Sequence, residues 1–123
     1  MFKKIAPHLQ KGQHGEQLAH RYLKQQGLTI VAKNVRNRYG EIDLIAQDNQ
    51  SLVFIEVRLR QHNALVSACQ SIDPRKQQKW QKAAQHYLQT HYRQPPDCRF
   101  DAICITEHPK QAPQIDWLKG IFL

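Results

Sequence analysis

The chain runs to 123 residues with a formal net charge of +8 and a pI near 9.7. That length fits one domain, residues 1–123, able to bury about two-thirds of its unfolded surface without staples, and the charge points to a polyanionic partner, nucleic acid ahead of an anionic membrane surface. No run approaches the ~18 apolar residues of a spanning helix, and Met1-Phe2-Lys3-Lys4-Ile5 is not followed by the apolar core of a signal peptide, so a cytoplasmic protein without a membrane partner is expected.

Residues 12–26 read as a helix whose apolar stripe is Gly15, Leu18, Ala19, Tyr22 and Leu23, with Gly27 as its C′ residue. Glu16 borders that stripe near the predicted helix start, where the helix dipole favours a carboxylate. Leu28 to Val35 reads as a first strand, with Lys33, Arg36 and Arg38 around the turn into Gly40.

Residues 40–60 read as a hairpin. Gly40-Glu41-Ile42-Asp43-Leu44-Ile45 and Phe54-Ile55-Glu56-Val57-Arg58 are apolar strands interrupted by charge, joined through the polar Gln47-Asp48-Asn49-Gln50-Ser51. With Asn49 and Gln50 at the turn centre, Asp43 falls opposite Glu56 and Glu41 opposite Arg58. The other face then pairs Ile42 with Val57, Leu44 with Ile55 and Ala46 with Val53. Facing Cβ atoms on paired strands lie roughly 4.5 to 5.5 Å apart, where like charges repel unless a cation separates them. Mg²⁺ or Mn²⁺ suits such a pair, since hard cations take oxygen ligands and are held by one or two carboxylates plus phosphate oxygens. The alternative is that Asp43 and Glu56 pair with Arg58, Arg60 or other cations on a solvated face. Ile45, Leu52 and Phe54 share the face and argue that it is covered, and charges on a covered face need partners or a function.

Residues 61–72 lack periodicity and read as a surface loop. Asp73-Pro74 starts a second helix running to about His91, with Trp80, Ala83, Ala84, Tyr87 and Leu88 as its buried stripe. Lys76 sits one turn before Trp80 on that stripe, whereas Arg75, Lys79, Lys82 and His86 fall on an adjacent polar face. Cys98 to Thr106 forms a fourth strand, 109–113 a loop, and Ile115 to Leu118 a short edge strand, with Ile121-Phe122-Leu123 packing back onto the domain. The order α-β-β-β-α-β implies a mixed β-sheet flanked by helices.

Cys69, Cys98 and Cys104 are odd in number and show no CxxC spacing, so free thiols in a reducing compartment are expected. The histidines form no helical HxxxH pair with a third ligand nearby, which argues against zinc.

Taken together, Gly15-Glu16, Asn34-x-Arg36, Gly40 to Ile45, Phe54 to Arg58, Asp73-x-x-Lys76-Gln77 and Arg99-Phe100-Asp101 resemble the YraN family of bacterial proteins over nearly the whole chain. That family is similar to archaeal Holliday junction resolvases and, through them, to the PD-(D/E)XK nuclease superfamily. The resemblance implies a restriction-endonuclease-like αβββαβ core of the α/β class and a metal-dependent nuclease acting on DNA, with branched or damaged DNA as one candidate substrate class. It implies Asp43 and Glu56 as Mg²⁺ or Mn²⁺ ligands with the Val57 carbonyl as a further one, and Glu16 as the acid that orients the attacking water. Arg58 stands where the superfamily has lysine. Arginine cannot be deprotonated in a protein, so either Arg58 acts only electrostatically or Lys76 supplies the working lysine. Arg36, Arg38, Arg60, Arg75, Lys79 and Lys82 are the cations expected to hold DNA phosphates. A homodimer is one assembly that the likeness to junction resolvases implies. Two other function classes stay open: a non-catalytic nucleic-acid-binding module that keeps the nuclease fold, and a protein whose basic surface serves a protein or membrane partner.

Overall fold

The first helix ends as its glycine dictates. Gly27 takes φ +95°, and Leu28 N donates to Leu23 O while Gly27 N donates to Lys24 O, both at 3.0 Å. These two bonds are the Schellman pattern, which turns the chain back toward the sheet. In the computed structural model, which describes residues 7–121 with side chains from residue 13, this helix is α1, Pro7–Gln25. It is followed by β1 (Thr29–Asn37), β2 (Gly40–Asp48), β3 (Ser51–Gln61), a 3₁₀ turn (Cys69–Ser71), α2 (Pro74–His91), β4 (Cys98–His108) and β5 (Gln111–Leu118). The Met1 to Ile5 segment, Phe122 and Leu123 lie outside the described residues.

The five strands form one sheet in the order β1-β2-β3-β4-β5. All neighbours are antiparallel except β3 and β4, which pair in parallel because α2 carries the chain across the sheet between them. The fold is therefore a mixed-sheet α/β fold consistent with an αβββαβ core, to which β5 adds an edge. Asp73 starts α2 as the sequence predicts, its side chain accepting from Lys76 N at 2.9 Å with Pro74 behind it.

The two helices cover opposite faces. Ala19 and Leu23 of α1 pack on Leu44, Val53, Ile55, Ile103 and Ile105, whereas Trp80, Ala83, Ala84 and Tyr87 of α2 pack on Ile45, Leu52 and Phe54. Successive β3 residues thus alternate between two cores, which is why that strand is apolar almost throughout. At the far end Asp101 is wholly buried. It accepts from Arg99 Nε, from Trp117 Nε1 at 2.9 Å and from Gly120 N at 2.9 Å, and so fastens β5 and the segment after it to β4.

Several expectations change. The first helix begins at Pro7 rather than 12, which puts Glu16 well beyond its first turn and removes the dipole role suggested for that acid. The expected loop at 109–113 shrinks to a turn at Pro109 and Lys110, because β5 already starts at Gln111; Pro113 is tolerated there since β5 is an edge strand. The 61–72 loop contains the 3₁₀ turn, with Ala68, Cys69 and Ile72 packed on Ala102 and Cys104. Cys69 and Cys104 are consequently joined as a disulfide across a Cα–Cα distance of 5.4 Å, correcting the expectation of three free thiols, and only Cys98 remains free. Ile121 packs back as expected, its N–H donating to Phe100 O at 2.9 Å.

Candidate functional site

The hairpin register is the predicted one from the turn inward: Asp48 faces Ser51, Gln47 faces Leu52, Ala46 faces Val53 and Leu44 faces Ile55. The ladder then stops. Instead of pairing with Glu56 through the backbone, Asp43 accepts the N–H of Val57 on Oδ2 at 2.8 Å. Opposite it on β1, Asn34 has φ +51°, a left-handed conformation that asparagine tolerates better than most residues. This irregularity also shifts Ile42 onto the α2 side of the sheet while Val57 stays on the α1 side, so the expected Ile42–Val57 pair does not form.

Asp43 and Glu56 are still brought together, side chain to side chain. Both carboxyls are held above their ordinary range, by burial first; Glu56 is pushed up to about 8, with the neighbouring Asp43 as the next cause. Burial and mutual repulsion thus oppose ionisation of both members of the pair at once. Arg58 answers part of this charge, its Nη2 lying 2.6 Å from Glu56 Oε1 in a pair whose side chains are only 21% and 12% exposed. Its Nε is buried with no hydrogen-bond partner among the described residues.

These groups line a pocket of about 350 Å³ together with Gly40, Glu41, Lys76, Lys79 and Trp80. Lys76 is exposed, with Nζ 3.5 Å from Ser71 O, and its charge favours the ionised form of Glu56. Lys79, expected on the outer face of α2, lines the pocket as well. The approach is close because β2 opens with glycine: a Cβ on Gly40 would lie 3.3 Å from Lys79 O. Glu16, on α1, does not line this pocket but interacts by charge with Asp43. Burial and then Asp43 raise its pKa, while a hydrogen bond with Asn34 works in the other direction.

The other cations divide. Arg36 pairs with Glu41 at 2.9 Å on the surface, and Arg38 lies over the Tyr39 ring at 4.9 Å. Arg60 donates from Nη1 to Leu59 O, whereas Arg75 and Lys82 are exposed on α2. None of these five lines the carboxylate pocket. Sequence reasoning missed the Trp80 wall of the pocket and the Asn34 bond to Glu16. A non-glycine left-handed residue inside a strand leaves no periodic signal, and Trp80 reads from its spacing as core alone.

Among the described residues no group of three or more His, Cys, Asp or Glu side chains is gathered to hold a metal. Two buried carboxylates that resist ionising together nevertheless fit a hard cation such as Mg²⁺ or Mn²⁺, which completes its shell with water or phosphate oxygens rather than with an all-protein cage.

The model of the uncharacterised protein family UPF0102 matches residues 15–105, a span that includes Glu16 and the whole hairpin. A UPF0102 protein of Dichelobacter nodosus is 58% identical over 111 residues, covering 90% of this chain and 87% of that protein. One from Nitrosococcus oceani is 48% identical over 120 residues, covering 97% and 96%, and one from Methylobacillus flagellatus is 43% identical over 113 residues, covering 92% and 96%. No helix among the described residues is long and apolar enough to cross a membrane.

Proposed function

The chain belongs to the UPF0102 family, also called YraN, and from its site we propose a metal-dependent endonuclease that hydrolyses phosphodiester bonds in DNA, branched or damaged DNA being the substrate class. The observation that carries this reading is the buried Asp43–Glu56 pair beside the Arg58 guanidinium. Burying two carboxylates side by side costs stability unless the site serves a purpose, and a phosphodiester with its counter-cation supplies the missing charges.

In this reading Asp43 and Glu56 would hold Mg²⁺ or Mn²⁺, with the Val57 carbonyl as a further ligand. Such a cation would supply Lewis-acid polarisation of the scissile phosphate. The protein's own groups do the rest. The Val57 N–H fixes the Asp43 carboxylate, and Arg58 contributes its positive charge to the pocket. Lys76 and Lys79 add positive charge from α2. Glu16, whose pKa is raised by burial and by Asp43, orients the attacking water from α1 and, as the carboxylate, takes up its proton.

The test is cleavage of duplex, single-stranded and four-way-junction DNA by the purified protein with Mn²⁺ or Mg²⁺, against Asp43→Asn. Metal-dependent cutting by the wild type alone is expected. Tight binding without cutting would replace the enzyme by a nucleic-acid-binding module, and no binding at ~50 mM salt would favour a protein partner.

A further inference from the structure

A groove of about 620 Å³ runs between α1 and β1, on the side of the sheet away from α2, with Glu16 and Asn34 among its lining residues. Beyond them it is lined by His20, Arg21, Lys24 and Lys33. His20, Lys24 and Lys33 also line a second depression of about 380 Å³ that continues along the edge strand β1 past Thr29. The groove therefore begins at the acid that senses Asp43 and ends at the margin of the sheet.

Its cations form no close ion pair, although the charge of Lys33 favours the ionised form of Glu16 where the groove begins. Arg36, Arg58 and Arg99 each have a carboxylate partner, whereas Arg21, Lys24 and Lys33 form no salt bridge among the described residues. Lys33 and Lys24 both act on His20, which is held below its ordinary pKa by burial and by their charges. Cations without salt bridges along a groove are stabilised by a polyanion laid between them. Apart from the His20 ring neither depression is lined by an aromatic side chain, so the groove offers charge without a stacking platform.

We propose that this α1/β1 groove binds the sugar–phosphate backbone of the nucleic-acid strand leaving the Asp43–Glu56 pocket, with Lys24 and Lys33 as its principal phosphate contacts. The inference rests on the nuclease reading for its direction along the strand. It adds a second binding surface, separate from the cations of α2, and makes recognition there independent of base identity.

The test is fluorescence anisotropy without metal, using a labelled single-stranded oligonucleotide and a four-way junction across a salt series. Lys24→Glu/Lys33→Glu is compared with Arg93→Glu/Lys110→Glu, which changes net charge equally away from the groove. The groove variant should lose about tenfold or more in affinity, and its log–log salt slope should fall by about 1.4, two contacts at about 0.7 each on a single strand. The control should stay near wild type. Lys24→Gln/Lys33→Gln repeats the comparison should charge reversal impair folding, judged by melting temperature. Equal weakening of groove and control variants would overturn the groove while leaving the nuclease reading intact. A wild type that binds neither probe would remove both, and cleavage by a groove variant with unchanged affinity would remove the groove alone.

Discussion

The backbone N–H of Val57 donates to Oδ2 of Asp43 at 2.8 Å, at the point where β2 ceases to pair with β3. A side chain thus does the work of a ladder carbonyl, and the residue that could ligate a metal is also the one that closes the strand.

The two roles separate by substitution. Asp43→Asn keeps an oxygen for Val57 N and removes a buried charge, so the metal-free protein should be no less stable than wild type. Asp43→Ala leaves that N–H without its partner and should lose about 1–3 kcal/mol. Both should abolish the rise in melting temperature that Mn²⁺ gives the wild type. Urea unfolding without metal and thermal melts with it measure the two effects. Absence of Mn²⁺ binding to the wild type at millimolar concentration in calorimetry would sink the metal site and leave the fold untouched.

Glu56 sets the pH dependence. Its carboxyl moves from an ordinary value of 4.5 to about 8 in the folded protein, chiefly through burial and then through Asp43. The folded state therefore keeps a proton that the unfolded chain releases. This contribution to stability is complete below the unfolded value of 4.5 and is lost as pH rises through about 8. Metal competes with that proton, so Mn²⁺ affinity should tighten over the same interval. Glu56→Gln should flatten the stability profile. Melting temperatures across about pH 5 to 9, with and without Mn²⁺, check both slopes, and a wild-type profile as flat as the variant's would refute the assignment.

How much of this was legible in the sequence depends on how local the cause is. Asp73-Pro74, Gly27 and the Asn49-Gln50 turn carry their geometry in residue type, and the structure has each where the sequence predicts it. The side-chain meeting of Asp43 and Glu56 also follows from strand period. Its means does not: ending the ladder at Asp43 depends on a hydrogen bond across 14 residues, which no pattern announces. Lys79 reads as solvent-facing by helical spacing, yet the close approach of α2 at Gly40 brings it to the pocket. The cationic groove was invisible for the same reason, since Lys24 and Lys33 belong to different elements and meet only through the packing of α1 beside β1.

The disulfide gives a chemical prediction. In protein purified without reductant, one thiol, Cys98, should react in denaturant, and three should react after reduction. Closing a loop between residues separated by 35 positions should contribute about 3–4 kcal/mol, so reduction should lower the denaturation midpoint correspondingly. Cys69→Ser should match the reduced wild type. Three reactive thiols before reduction would return the pair to the free state expected from spacing alone.

Arg58 and Lys76 compete for the role that lysine plays in the superfamily the sequence resembles. Arg58 lies 2.6 Å from Glu56 with Nε unused, whereas Lys76 is exposed and rests 3.5 Å from Ser71 O. Arg58 is the cation set directly against the carboxylate pair, and it can act only through its charge and its donors. Arg58→Lys should therefore retain metal-dependent cleavage, while Arg58→Ala should lose roughly 10²-fold or more, the scale for removing one transition-state stabiliser. Lys76→Ala should matter less. Single-turnover assays with Mn²⁺ on a junction and on plain duplex decide the order, with each variant's melting temperature checked against wild type. The reverse order, with Lys76→Ala losing most activity and Arg58→Ala losing mainly affinity, would move the working lysine to α2. Strong binding with no cutting by either wild type or Arg58→Lys would instead leave a binding module, in which Arg58 serves only to neutralise Glu56.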